Sequence, residues 1–164
     1  MESELFNLAE QLGLNLMAKG YRIATAESCT GGWIAQTLTD VPGCSEWFDR
    51  GFVTYSNQSK IQMLGVSPQS LTDYGAVSVE VARQMLVGVL ANSGADIAVA
   101  VTGIAGPGGG SEEKPVGTVF VGWQVKNGLP KVEKLQLRGN RRQIRQETVR
   151  KSLLGVLSLL ASKH

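Results

Sequence analysis

Thr25-Ala26-Glu27-Ser28-Cys29-Thr30-Gly31-Gly32 joins two segments of different period. Before it, residues 21–25 alternate and include β-branched types, so they predict a short strand; after it, Trp33 to Thr39 carries apolar residues at helical spacing. Between them lies a polar, glycine-containing turn. A strand running through such a corner into a helix is the place where α/β proteins bind ligands, because free backbone N–H groups and the helix dipole favour negative charge there. Ser28 stands at that corner. Ser28 or Thr30 reads equally as a helix cap.

Outward from this corner the chain alternates in kind. Glu4 to Lys19 places Leu5, Leu8, Leu12 and Leu16 on one helical stripe, and Gly20 ends it. Val41-Pro42-Gly43-Cys44 breaks the pattern after the second helix, and Trp47 to Tyr55 predicts the second strand. Ser56 and Asn57 resemble a cap for a short helix around Asn57 to Leu64, another brief segment follows near Pro68 to Tyr74, and Ser78 caps a longer helix with Val81, Met85 and Val89 on one face. Ile97 to Val101 is a continuous apolar run, as expected of a strand covered on both faces. It ends in Thr102-Gly103. Val116 to Val125 and Val132 to Leu137 predict two strands around the hairpin pair Asn127-Gly128, and Asn140 caps a last helix reaching about Ser162. The expected architecture is a three-layer α/β/α sandwich with a mixed sheet, one domain over residues 1–164.

Composition narrows the function. A chain of 164 residues with 43% hydrophobic content has the size of one domain with a real core. It has no apolar run of the ~20 residues a membrane span requires and no signal-like N-terminus, so the expectation is a cytoplasmic protein without a membrane partner. Cys29 and Cys44 are expected as free thiols, and neither count nor spacing suggests a metal. The single histidine is His164, the last residue. A Ser-His or Cys-His pair is therefore not expected, and a serine nucleophile needs another base.

Two further stretches bear on ligands. The glycine-rich segment Gly106 to Gly110 is no Walker loop, since Lys114 precedes Pro115 and then a strand. It reads as a surface loop or as one closing over a small ligand, with residues 111–114 solvated. Residues 131–151 hold eight of the 16 basic residues and only two acids. Arg141 and Arg145, four apart near a helix start, would share a face and could grip a phosphate; an ordinary solvated face is the alternative. Aromatics are too few for a nucleic-acid platform.

Ala26-Glu27-Ser28-Cys29-Thr30-Gly31-Gly32, Gly51-Phe52-Val53-Thr54-Tyr55-Ser56-Asn57 with Lys60, Thr102-Gly103-Ile104-Ala105-Gly106-Pro107 and Lys114-Pro115-Val116-Gly117-Thr118-Val119 together resemble the CinA C-terminal domain family. The resemblance runs nearly end to end, and it is to the stand-alone form that lacks the molybdopterin-binding-like domain of longer members. It implies deamidation of nicotinamide mononucleotide to nicotinate mononucleotide and ammonia, a salvage step for pyridine nucleotides, with no cofactor. It also implies a Ser-Tyr-Lys catalytic set at Ser28, Tyr55 and Lys60, and a homo-oligomer.

A lysine serves as base when burial disfavours its charged form. Either Tyr55 or Lys60 is a candidate for the group that takes the Ser28 proton, with Cys29 as an alternative nucleophile. Backbone N–H groups of Cys29, Thr30 and Gly31, or at Gly103 after Thr102, are the candidate oxyanion donors. The substrate phosphate is assigned to Arg141, to Arg145 or to a helix N-terminus. A nucleotide-binding module of the same fold that turns nothing over is the alternative function.

Overall fold

The computed structural model describes residues 2–162, so His164 lies outside the described residues. Helix α1 (Glu2–Lys19) leads to strand β1 (Ile23–Glu27) and helix α2 (Trp33–Thr39); a 3-10 turn at Cys44–Glu46 precedes β2 (Phe48–Val53). Three helices follow, α3 (Asn57–Leu64), α4 (Pro68–Tyr74) and α5 (Val79–Ala91), then β3 (Ile97–Gly103), β4 (Thr118–Val125), β5 (Lys131–Gln136) and α6 (Arg141–Ala161).

The strands form one mixed sheet in the order β2-β1-β3-β4-β5. β1 lies parallel to both β2 and β3, whereas β4 and β5 add on as antiparallel neighbours. The alternation of the strands sorts two cores. Ile23, Ile97, Val99, Val101, Val119, Val121 and Trp123 face α1, α2 and α6. On the other face Ala24, Ala26, Ala98 and Ala100 meet Val81, Met85, Leu86 and Val89 of α5. Large side chains thus fill the first face, and alanines bring α5 close to the second.

Several predicted edges move. β1 starts at Ile23 and runs on to Glu27, beyond the expected end at Thr25, because Glu27 pairs with Val53 on one side and Val101 on the other. β2 is shorter than residues 47–55: Trp47 is buried against α1 at Gly13, and Thr54 has already left the strand. β4 begins only at Thr118, since Gly117 has φ +93° and packs against the Leu137 carbonyl.

Candidate active site

The parallel strands β1 and β3 end at the same edge of the sheet, as does β2 through its continuation into Thr54 and Tyr55. Ser28 follows β1 directly, its N–H bonded to the Val101 carbonyl at 3.1 Å. Lys60 comes from α3. Ser56 caps that helix by accepting from the Ser59 N–H at 3.0 Å, and Lys60 lies one turn in. Helical side chains lean toward the N-terminus, which carries the Lys60 amine back over the cap to the Ser28 corner.

There Lys60 Nζ lies 3.0 Å from Ser28 Oγ, 2.8 Å from the Thr54 carbonyl and 3.1 Å from the Tyr55 carbonyl. Lys60 is 1% exposed and Ser28 8%. Burial pulls the Lys60 amine down from 10.5 to about 8, with no carboxylate bonded to it to hold the proton. Three partners suit either protonation state. The ammonium donates to all three; the neutral amine donates to the two carbonyls and turns its lone pair to the Ser28 hydroxyl.

Tyr55 reaches this pair through its backbone. Its carbonyl accepts from Lys60 and, at 3.5 Å, from Ser28 Oγ, while its side chain projects outward and Tyr55 is 58% exposed. The phenol oxygen accepts from Arg141 Nη2 at 2.9 Å, and Arg141 Nη1 donates to the Gly106 carbonyl at 2.7 Å. Ser28, Lys60, Tyr55, Arg141, Thr102 and Gly103 line a cleft of about 180 Å³. Larger hollows of about 370 Å³ lie over Trp123 and Gly155 and over Gly13 and Trp47. The first has serines and lysines in its lining but no hydrogen bond between them like that of Lys60 to Ser28, and the second has neither residue type, so chemistry rather than size selects the site.

The corner itself differs from the sequence reading. Neither Ser28 nor Thr30 caps α2; its N-cap is Gly32, which makes no side-chain cap bond. Glu27 does that work from inside β1, accepting from Ile34 N at 2.8 Å, Ala35 N at 3.0 Å and Thr30 Oγ1 at 2.6 Å. The positive end of α2 is thereby satisfied by the chain's own carboxylate and is closed to a ligand anion. Burial raises the Glu27 pKa, and these donors oppose the rise. Glu27 was missed because the bond crosses a turn that no local capping pattern describes.

The remaining predicted residues divide between lining and support. Cys29 is 4% exposed, and burial pushes its thiol up to about 12, which removes it as a nucleophile at neutral pH. Thr102 donates to the Ala76 carbonyl at 2.9 Å and so fixes the opposite wall. Gly103 has no room for a side chain: a Cβ would lie 2.7 Å from Val119 Cγ2 and 3.2 Å from Cys29 Sγ. Gly31 has φ +61°. Arg145 stands behind the corner rather than in the cleft, donating to the Cys29 and Thr30 carbonyls. Lys114, expected in solvent, donates instead to the Tyr74 carbonyl at 2.7 Å.

Backbone donors next to Ser28 are few. The Cys29 N–H gives no hydrogen bond to another of the described residues, whereas the Gly31 N–H is bonded to the Ser28 carbonyl at 3.1 Å. Thr30 is fully buried. Among the described residues no group of His, Cys, Asp and Glu could hold a metal ion, and no helix is long and apolar enough to cross a membrane.

The chain has relatives among known proteins over most of its length. Residues 5–160 match the CinA C-terminal domain. The chain is 54% identical over 144 residues to nicotinamide-nucleotide amidohydrolase PncC of Enterobacter agglomerans, covering 88% of each chain. It is 49% identical over 146 residues to the protein of that name from Escherichia coli, covering 89% of this chain and 88% of that one. The crystal structure of competence/damage inducible protein CihA from Agrobacterium tumefaciens superposes with a TM-score of 0.92 at 47% identity, over 94% of both chains.

Proposed function

The chain belongs to the CinA C-terminal domain family, and from that premise we propose that it is a nicotinamide-nucleotide amidohydrolase, releasing ammonia from nicotinamide mononucleotide. The observation that carries this reading is the buried Lys60 amine 3.0 Å from Ser28 Oγ, with its ordinary pKa lowered to about 8. The names of two relatives at 54% and 49% identity supply the substrate.

In the proposed reaction the neutral Lys60 amine takes the Ser28 proton as Oγ bonds to the carboxamide carbon. The carbonyl electron pair moves to oxygen and meets the Cys29 N–H, the backbone donor next to the nucleophile, which turns to it from its own thiol. Collapse breaks the C–N bond; Lys60 returns its proton to the nitrogen, and ammonia leaves an acyl ester on Ser28. Water then attacks the ester with its proton passing to Lys60, freeing nicotinate mononucleotide and the serine. Tyr55 contributes through its carbonyl, which orients Lys60, and through its phenol, which orients Arg141.

A cleft of about 180 Å³ is below the ~300–1,000 Å³ that encloses a drug-sized ligand. It takes the carboxamide ring and leaves the sugar and phosphate toward the rim. Arg141, held there by Gly106 and Tyr55, is the arginine suited to the phosphate; Arg145 is engaged behind the corner.

The test is direct. The protein and its Ser28→Ala variant are incubated with nicotinamide mononucleotide, and ammonia and nicotinate mononucleotide are followed by NMR. Product from the unsubstituted protein alone is expected. Equal product from both removes Ser28 as nucleophile, and tight binding without product from either favours a non-catalytic nucleotide-binding module.

A further inference from the structure

Ser28 sits at the start of a turn whose peptide planes decide where the Cys29 N–H points. A peptide unit is planar and trans, so anchoring its carbonyl fixes the direction of the N–H on its other side. The Ser28 carbonyl is turned inward by the Gly31 N–H at 3.1 Å. That leaves the Cys29 N–H pointing away from the turn. Whether it stays so depends on the next two planes.

Those planes are held by α6. Arg145 Nε donates to the Cys29 carbonyl at 3.0 Å, and Nη2 donates to the Thr30 carbonyl at 3.1 Å. Among the described residues Arg145 is the sole donor to the Cys29 carbonyl; Thr30 also accepts from the Trp33 N–H at 3.1 Å. The guanidinium is itself set in place, its carbon 5.4 Å from the Trp33 ring centroid. A planar fork on two successive carbonyls fixes orientation in a way a single point charge does not. Arg145 is absent from the cleft lining, in contrast to Arg141 one turn earlier on the same helix.

We propose that Arg145 is a positioning residue for the reaction: it touches no substrate atom, and its grip on the Cys29 and Thr30 carbonyls holds the Cys29 N–H in line with the oxygen that becomes negative. This inference rests on the amidohydrolase reading. It assigns a different role to Arg145 from the phosphate contact that its spacing from Arg141 suggests.

Arg145→Lys and Arg145→Met are compared with the unsubstituted protein for kcat and KM on nicotinamide mononucleotide. A second readout is the rate at which a fluorophosphonate labels Ser28, followed by intact mass. There the Oγ–P bond forms, P–F breaks, fluoride leaves and Lys60 takes the hydroxyl proton, so labelling reports the nucleophile and its donor without the natural substrate. The expected result is a kcat about 10- to 100-fold lower for Arg145→Met with KM within about threefold. Labelling should slow in parallel, and Arg145→Lys, a single-headed donor, should fall between. A KM raised tenfold with kcat unchanged makes Arg145 a substrate contact and overturns the proposal. Unchanged kcat in both variants overturns it as well. If Arg145→Met does not fold, Arg145→Lys decides by the same two criteria. If the unsubstituted protein neither turns over the nucleotide nor labels, it is the amidohydrolase reading that fails.

Discussion

Lys60 carries a cation in a place that disfavours cations, and its consequences are readable as a function of pH. Its amine is lowered to about 8 by burial, so roughly a tenth is neutral at pH 7. Since the neutral form is the base, kcat/KM should rise with pH through a single limb with an apparent pKa about 8. Lys60→Met should lower the rate by about 10²–10⁴-fold, the usual worth of a positioned base, and abolish that limb; a persisting limb near 8 in the variant removes Lys60 as its source. Stability carries the same signature. Between about 8 and 10.5 the unfolded chain holds the proton that the folded chain has released. The folded state is therefore penalised in full below pH 8, and stability gains as pH rises across that window, which urea titrations from pH 7.5 to 10 check. Spacing alone puts Lys60 one turn into a helix, where a lysine is ordinarily solvated. Its burial comes from the packing of α3 against α5 and the sheet corner, which no local pattern contains.

Elements were legible where their ends are set by neighbours in sequence. α3, α4 and α5 begin after Ser56, Ser67 and Ser78, each accepting from an N–H three residues on, and α6 begins after Asn140 in a reciprocal bond with Gln143. Those caps are local, so the residues announce them. α2 is the exception. Its donors are taken by Glu27, seven and eight residues before Ile34 and Ala35, and the bond exists only once β1 is in the sheet. Glu27→Gln keeps the volume but replaces one carboxylate oxygen with an amide donor facing a donor. The expected cost is about 2–3 kcal/mol, as for a hydrogen bond to a buried charged group, measured by denaturant unfolding. The nucleophile turn should loosen with it, so activity should fall further than stability alone accounts for. A change below 0.5 kcal/mol would mean that α2 does not depend on this cap.

At the scale of the molecule, the strands were readable but their order was not, because pairing of β1 between β2 and β3 depends on contacts far apart in sequence. The same holds for the close approach of α5. Its Gly88 packs directly on the Leu64 carbonyl at the end of α3, and nothing in the spacing of Val81, Met85 and Val89 signals that contact. Leu64 and Lys60, one turn apart, are both buried on the same face of α3. A methyl at Gly88 has only backbone to press on, so α3 must move as a short rigid body, and the 3.0 Å approach of Lys60 to Ser28 moves with it. Gly88→Ala is expected to lose about 1–3 kcal/mol of stability through overpacking, and up to about 100-fold in kcat if the displacement at Lys60 approaches 1 Å. Gly94→Ala supplies the comparison, since a Cβ there meets nothing nearer than Asp49 Oδ1 at 3.9 Å; it should leave melting temperature and kcat unchanged. A Gly88→Ala protein that is destabilised yet fully active would show that α3 yields at its C-terminal end alone, and that the position of Lys60 is fixed by the Thr54 and Tyr55 carbonyls rather than by the packing of the helix.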